Sequence, residues 1–236
     1  MEQHEIVSPQ AWRAARVAFL QREKEFTRLR DELGEALRRL PWERIDKPYM
    51  FETPAGQRSL AQLFEGRHQL IVQHFMLGPD WEAGCKSCSF WADSYEGAVV
   101  HLNQRDVTFT AVSRAPLAKI EAFKARMGWS FPWASSFGSD FNFDFHVSFT
   151  EAEQAARTGE YNYAPRKYQS SELPGTSVFW RDDDDAVFHT YSTYARGIDM
   201  LNGAYQYLDL VPKGRDEAGL PFAMSWVKLH DTYAEA

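Results

Sequence analysis

The 236-residue chain holds only two cysteines, three positions apart in Gly84-Cys85-Lys86-Ser87-Cys88. Thiolates attack disulfide sulfur, and a second thiol one helical turn away can displace the mixed disulfide that forms. The pair therefore reads as a dithiol redox site. A free cysteine titrates near pH ~8.5. Unpaired N–H groups at a helix start stabilise a thiolate by about 0.3–1 kcal/mol, up to ~2 when partly buried, which lowers Cys85 by about one pKa unit. Lys86 adds to this if its ammonium folds back. Asp80 and Glu82 oppose it, at about half a kcal/mol for a charge ~8 Å away across water. Cys88 must shed a proton before it can attack, and His74 is the candidate acceptor, with a histidine satisfied in the core as the other reading.

Such a site needs a helix start, and the flanking sequence provides one. Gln69 to Leu77 is a short apolar run with β-branched members and reads as a buried strand. Gly78-Pro79 opens a loop, and Ser89 to Arg105 has helical spacing. Val107 to Val112 reads as a second strand, which completes a βαβ unit around the cysteines. Ala115 to Met127 reads as a helix closed by Gly128. Trp129 to Phe149 is rich in aromatics. The alternation of Phe141, Phe143 and Phe145 predicts an extended piece, and the segment is expected to bury aromatic surface against the core rather than to floor a pocket. Thr150 to Arg157 reads as a short helix, and Tyr161 to Tyr168 as extended. Thr176 to Arg181 and Ala186 to Ser192 read as a hairpin, and Asp182 to Asp185 as its solvated turn rather than a cation site. Ile198 to Leu210 reads as the last helix.

At the other end, Ser8-Pro9 opens a helix that runs to Leu40, with Trp12, Phe19, Phe26, Leu33 and Leu40 recurring every seven residues. The stripe reads first as packing within its own domain, which is compatible with a homodimer formed by pairing with a second copy. The expected organisation is a helical extension over residues 1–47 and one domain over 48–236.

A formal charge of −7 argues against nucleic acid as a partner. No apolar run approaches the roughly 18 residues of a membrane span, and no signal peptide is visible. The expected location is the cytoplasm, where a structural disulfide is uncommon. No cofactor and no resident metal are expected.

The segment from Phe51 through Cys88 resembles the opening of thioredoxin-like and peroxiredoxin-like proteins, in the order turn, short helix, apolar strand, loop and C-x-x-C. Through Gly84 to Trp91 and Phe188 to Gly197, the whole chain is similar to a bacterial thioredoxin-like family of predicted dithiol-disulfide oxidoreductases. The resemblance implies an α/β fold of three layers, a mixed sheet between helices, with the long N-terminal helix and the aromatic segment as additions. It gives Cys85 the attacking role and Cys88 the resolving one. It makes Pro174 the candidate for a cis-proline facing the cysteines, and sets His74 where thioredoxin keeps a buried acid. The partner implied is a disulfide-bearing protein or a small thiol or disulfide. Two departures stand out: no tryptophan directly precedes Cys85, and the strand-to-cysteine loop is longer than in thioredoxin.

Two other functions fit the same cysteines. Peroxidase chemistry is disfavoured by Glu82, which stands where peroxiredoxins carry a threonine. A copper or zinc module would use Cys85 and Cys88 with His74 or His189 as a third ligand. Serine-hydrolase and phosphate-loop motifs are absent.

Overall fold

The structure, a computed structural model, describes residues 4–168 and 170–234. The chain divides into two compact units, Met1–Pro41 and Trp42–Ala236. The first is built on α1 (Pro9–Leu37), which starts as its sequence requires: the Ser8 hydroxyl accepts the Ala11 N–H at 3.2 Å, and proline occupies the first turn. No residue of α1 is buried. The second unit begins earlier than residue 48, because β1 (Glu43–Arg44) is already part of its sheet.

The sheet grows from a βαβ unit. A hairpin of β2 (Met50–Thr53) and β3 (Gly56–Ser59) and a single 3-10 turn (Ala61–Phe64) lead into β4 (Gln69–His74). Gly56 carries the positive φ of 96° that the hairpin needs. The chain then forms α2 (Lys86–Ala92) and α3 (Glu96–Asn103), which cover β5 (Val107–Ser113), and β5 pairs in parallel with β4. The one helix expected over 89–105 is thus two, broken at Asp93-Ser94. The Asp93 carboxylate there accepts the Trp129 indole N–H at 2.9 Å and pairs with His230 at 2.7 Å. Helix α4 (Leu117–Arg126) precedes β6 (Trp133–Ser135), which extends the sheet beside β5.

The expected strand over Phe141, Phe143 and Phe145 is instead a helical turn, α5 (Phe141–Asp144). Phe141 and Phe145, four residues apart, both enter the core in a turn, whereas Phe143 lies under the Arg114 guanidinium. Next come α6 (Glu151–Ala156), with a Thr150–Glu153 capping box, and the small ribbon of β7 (Thr158–Tyr161) and β8 (Ala164–Lys167). The hairpin of β9 (Gly175–Arg181) and β10 (Val187–Tyr194) follows, its turn closed by Asp182 accepting the N–H groups of Asp184 and Ala186. A 3-10 turn (Ala195–Leu201) and α7 (Gly203–Leu208) replace the single helix expected from 198 to 210.

The eight strands run β1-β10-β9-β4-β5-β6-β2-β3, with β4 and β5 parallel and β9 antiparallel to β4. The central order β5-β4-β9-β10, with the cysteine helix crossing between the parallel pair, is the thioredoxin-like fold. Each sheet face has its own core. Leu70, Val72, Phe141, Phe145 and Phe179 fill one. Phe75, Trp91, Phe109, Ile120, Phe123 and Trp133 fill the other, beneath α2, α3 and α4. Most of the aromatic segment is buried, as expected, with Phe137 an exception at 52% exposure.

Candidate active site

Cys85 is the N-cap residue of α2, and Cys88 lies in the first turn on its buried side. The approach is rigid. The Cys85 N–H donates to the Met76 carbonyl at 3.0 Å, and the Cys85 carbonyl accepts both the N–H and the hydroxyl of Ser89. Gly84 leaves no room for a side chain, since a Cβ there would lie 2.5 Å from the Phe123 ring and 2.7 Å from the Phe75 ring. Two core aromatics thus lie directly against the backbone that leads into Cys85.

The two thiols differ sharply. Cys85 is half-buried, and its pKa falls from 9.0 to about 6. The main cause is the Cys88 thiol, which donates a hydrogen bond to the thiolate. Burial opposes the shift, and the first-turn groups of Cys88 and Ser87 assist it. The backbone contribution comes from the first-turn N–H groups of Cys88 and Ser87, which have no partner within the helix. Cys88 is 4% exposed, and its pKa rises well above 9.0 because it donates to Cys85, is buried, and would become a second negative charge. Cys85 is therefore the more acidic of the two thiols, and Cys88 the one held protonated. Lys86 takes no part: its ammonium donates to the Ser225 carbonyl at 3.0 Å.

His74 is not a partner of Cys88. Alternation along β4 puts Val72 and His74 on one face of the sheet, and Gln73 and Phe75 on the face that carries the cysteines. The imidazole lies against Phe141 and Phe145, and its Nε2 bonds the Ser177 hydroxyl at 2.8 Å. Burial first, and His189 second, push its pKa down to about 3. His189 shares that face, bonded through Nε2 to Ser192 at 2.7 Å, so neither histidine joins the sulfurs. Among the described residues no three potential ligands cluster to hold a metal ion.

Pro174 lines the same cavity as Cys88, but the expected cis peptide is absent; every peptide bond among the described residues is trans. On either side of it the Leu173 N–H donates to the Val147 carbonyl at 2.8 Å and the Tyr161 hydroxyl donates to the Pro174 carbonyl at 2.6 Å.

The cavity is about 590 Å³, within the range that takes a small molecule. Gln73, Met76, Cys88, Trp91 and Pro174 form its inner wall, and Ile198, Tyr205, Arg215, Glu217 and Met224 its outer one. Arg215 pairs with Asp199 and Asp209 at 2.8 Å each and stacks on the Tyr205 ring. Glu217 accepts from the Tyr205 hydroxyl, the Trp226 indole and the Met224 N–H. Sequence reasoning missed Gln73, whose amide oxygen accepts the Thr176 hydroxyl at 2.7 Å. Strand alternation next to His74 carried the signal. It also missed the outer wall, which has no motif.

No curated protein matches the chain. Among solved structures it is similar to Xanthomonas campestris peroxiredoxin Q, at 13% identity and a TM-score of 0.42 over 67% of this chain and 89% of that one. It is also similar to the Xanthomonas campestris bacterioferritin comigratory protein, at 13% identity and 0.46 over 71% and 96%. A third is peroxidoxin BcpB from Mycobacterium tuberculosis, at 13% identity and 0.41 over 70% and 96%. The family model described as bacterial protein of unknown function (DUF899) matches residues 1–233, and the chain belongs to that family.

Proposed function

We propose that the protein is a thiol–disulfide oxidoreductase whose working group is the Cys85–Cys88 dithiol. The observation that carries this reading is placement: half-buried Cys85 caps the start of α2 and Cys88 lies buried in the same first turn, where its thiol draws the Cys85 pKa down while its own is pushed up. At neutral pH, Cys85 is a thiolate with one solvent-facing side. It attacks a sulfur of the partner disulfide, forms a mixed disulfide and expels the other sulfur as a thiolate. Forming the mixed disulfide removes the negative charge that held the Cys88 proton. Cys88 then loses that proton to solvent or to the expelled thiolate and attacks the Cys85 sulfur, which breaks the mixed disulfide and expels the second partner sulfur as a thiolate that takes a proton from solvent. The products are the Cys85–Cys88 disulfide and two partner thiols, a two-electron exchange. The reverse sequence oxidises a partner dithiol.

The substrate is a protein disulfide or a small thiol or disulfide, and no cofactor enters. Position 82 supports exchange over peroxide reduction, since it holds an exposed glutamate rather than a hydrogen-bond donor near the sulfur.

The test is turnover of bis(2-hydroxyethyl) disulfide with dithiothreitol as reductant, followed by intact mass. The wild-type protein is expected to cycle between dithiol and disulfide. Cys85→Ser should be inactive, and Cys88→Ser should accumulate the mixed disulfide. Wild-type thiols that never form the internal disulfide in a glutathione buffer, or equal activity in Cys85→Ser, would overturn the proposal.

A further inference from the structure

Helix α1 presents an apolar stripe along its whole length. Trp12, Phe19, Phe26 and Leu33 recur every seven residues and are 62%, 53%, 67% and 68% exposed, and Leu29 beside them is 62% exposed. Large apolar side chains at such exposure, aligned along one face, mark an unfilled contact surface rather than scattered surface hydrophobics.

Three observations say what covers it. The first is the period: a strict seven-residue repeat is the spacing at which the seam of one helix stays in register with the seam of another. The second is length. At 29 residues α1 is about 43 Å long. The longest other helix among the described residues, α4, has ten residues, so the only helix of matching length and period is another α1. The third is area. The exposed parts of the three rings come to about 300–450 Å². With the two leucines and the stems of flanking arginines and glutamates, that approaches the ~800 Å² each partner gives to a stable interface. The charges flanking the stripe are of both signs, Arg16 and Arg30 beside Glu23, Glu25 and Glu32, unlike the basic face of a helix that lies on an anionic membrane.

We infer that the protein is a homodimer in which α1 pairs with the α1 of a second copy along the Trp12–Phe19–Phe26–Leu33 seam. The two dithiol sites then belong to one assembly.

Sedimentation velocity on the full chain, over about 1–100 μM, tests this in the range where modest interfaces associate. A dimer mass is expected at the upper end. Phe26→Glu places a charge in the middle of the seam and should raise the dissociation constant at least about tenfold. Lys24→Glu, on the opposite face, should leave it unchanged. Circular dichroism checks that α1 stays helical, and Phe26→Ala, a good helix former, serves if the glutamate melts it. Monomers throughout the range, a dimer equally tight in the Phe26 variant, or monomers that float with lipid vesicles would each overturn the proposal.

Discussion

At Cys85 the decisive neighbour is another sulfur. The helix start visible in the sequence accounts for about one unit of acidification. The larger fall to about 6 comes first from the Cys88 thiol, which only the folded contact reveals. The thiolate fraction therefore rises as pH climbs through 6. Alkylation of the reduced protein by iodoacetamide should be half-maximal near pH 6 at Cys85, with Cys88 spared. A midpoint near 9 would remove the basis for the attacking role. His74 shows the opposite case, a residue whose type suggested chemistry and whose strand face denies it. Its pKa is about 3 in the fold against 6.5 ordinarily, so between those values the unfolded chain binds a proton that the fold refuses. This contribution is fully present above pH 6.5 and is lost as pH falls toward 3. The expected loss between pH 7 and pH 5 is about 2 kcal/mol. His74→Gln should flatten the dependence of the urea midpoint over that interval while leaving disulfide exchange in place. An unchanged slope would mean that the imidazole is not buried neutral.

Elements were most legible where one physical signal dominated. Strands β4 and β5 and the Ser8-Pro9 start of α1 follow from apolar runs and cap chemistry. The same holds for the Asp182–Asp185 turn. Phe141 to Phe145 is ambiguous in sequence, because three phenylalanines at alternate positions suit a strand, while two of them four apart suit a helical turn equally well. Tertiary space decided, as the sheet face had room for Phe141 and Phe145 side by side, with ring centroids 4.7 Å apart. Gly84 is the element-scale feature most open to test. It joins the long loop to α2, and its missing side chain lets the helix start lie on Phe75 and Phe123. Gly84→Ala must push those rings or shift Cys85. The expected cost is about 1–3 kcal/mol, the range for overpacking a core, together with slower alkylation of Cys85 at pH 7. A variant as stable and as reactive as the wild type would show that the approach to Cys85 is not set by these rings.

For the molecule as a whole, the site is closed by chain that lies far from it in sequence. The βαβ unit supplies both sulfurs, but the outer wall of the cavity comes from residues beyond Ile198, where no motif announced a role. What holds that wall is ionic and aromatic. Arg215, its side chain 20% exposed, bridges Asp199 and Asp209 over the Tyr205 ring, while Glu217 ties Tyr205 to Trp226. Such a network is cooperative in its failure, since removing the arginine leaves two carboxylates facing each other with only the exposed Arg196, 3.4 Å from Asp199, near them. Arg215→Gln should therefore cost about 1–3 kcal/mol of stability and, more tellingly, unseat the wall. Cys88 would then react with a small maleimide severalfold faster, while the pH midpoint for Cys85 stays near 6 because its cause, the adjacent thiol, is untouched. Equal protection of Cys88 in wild type and variant would locate its shield elsewhere, in Trp91 and the body of α2, and leave the C-terminal segment without a part in access to the dithiol.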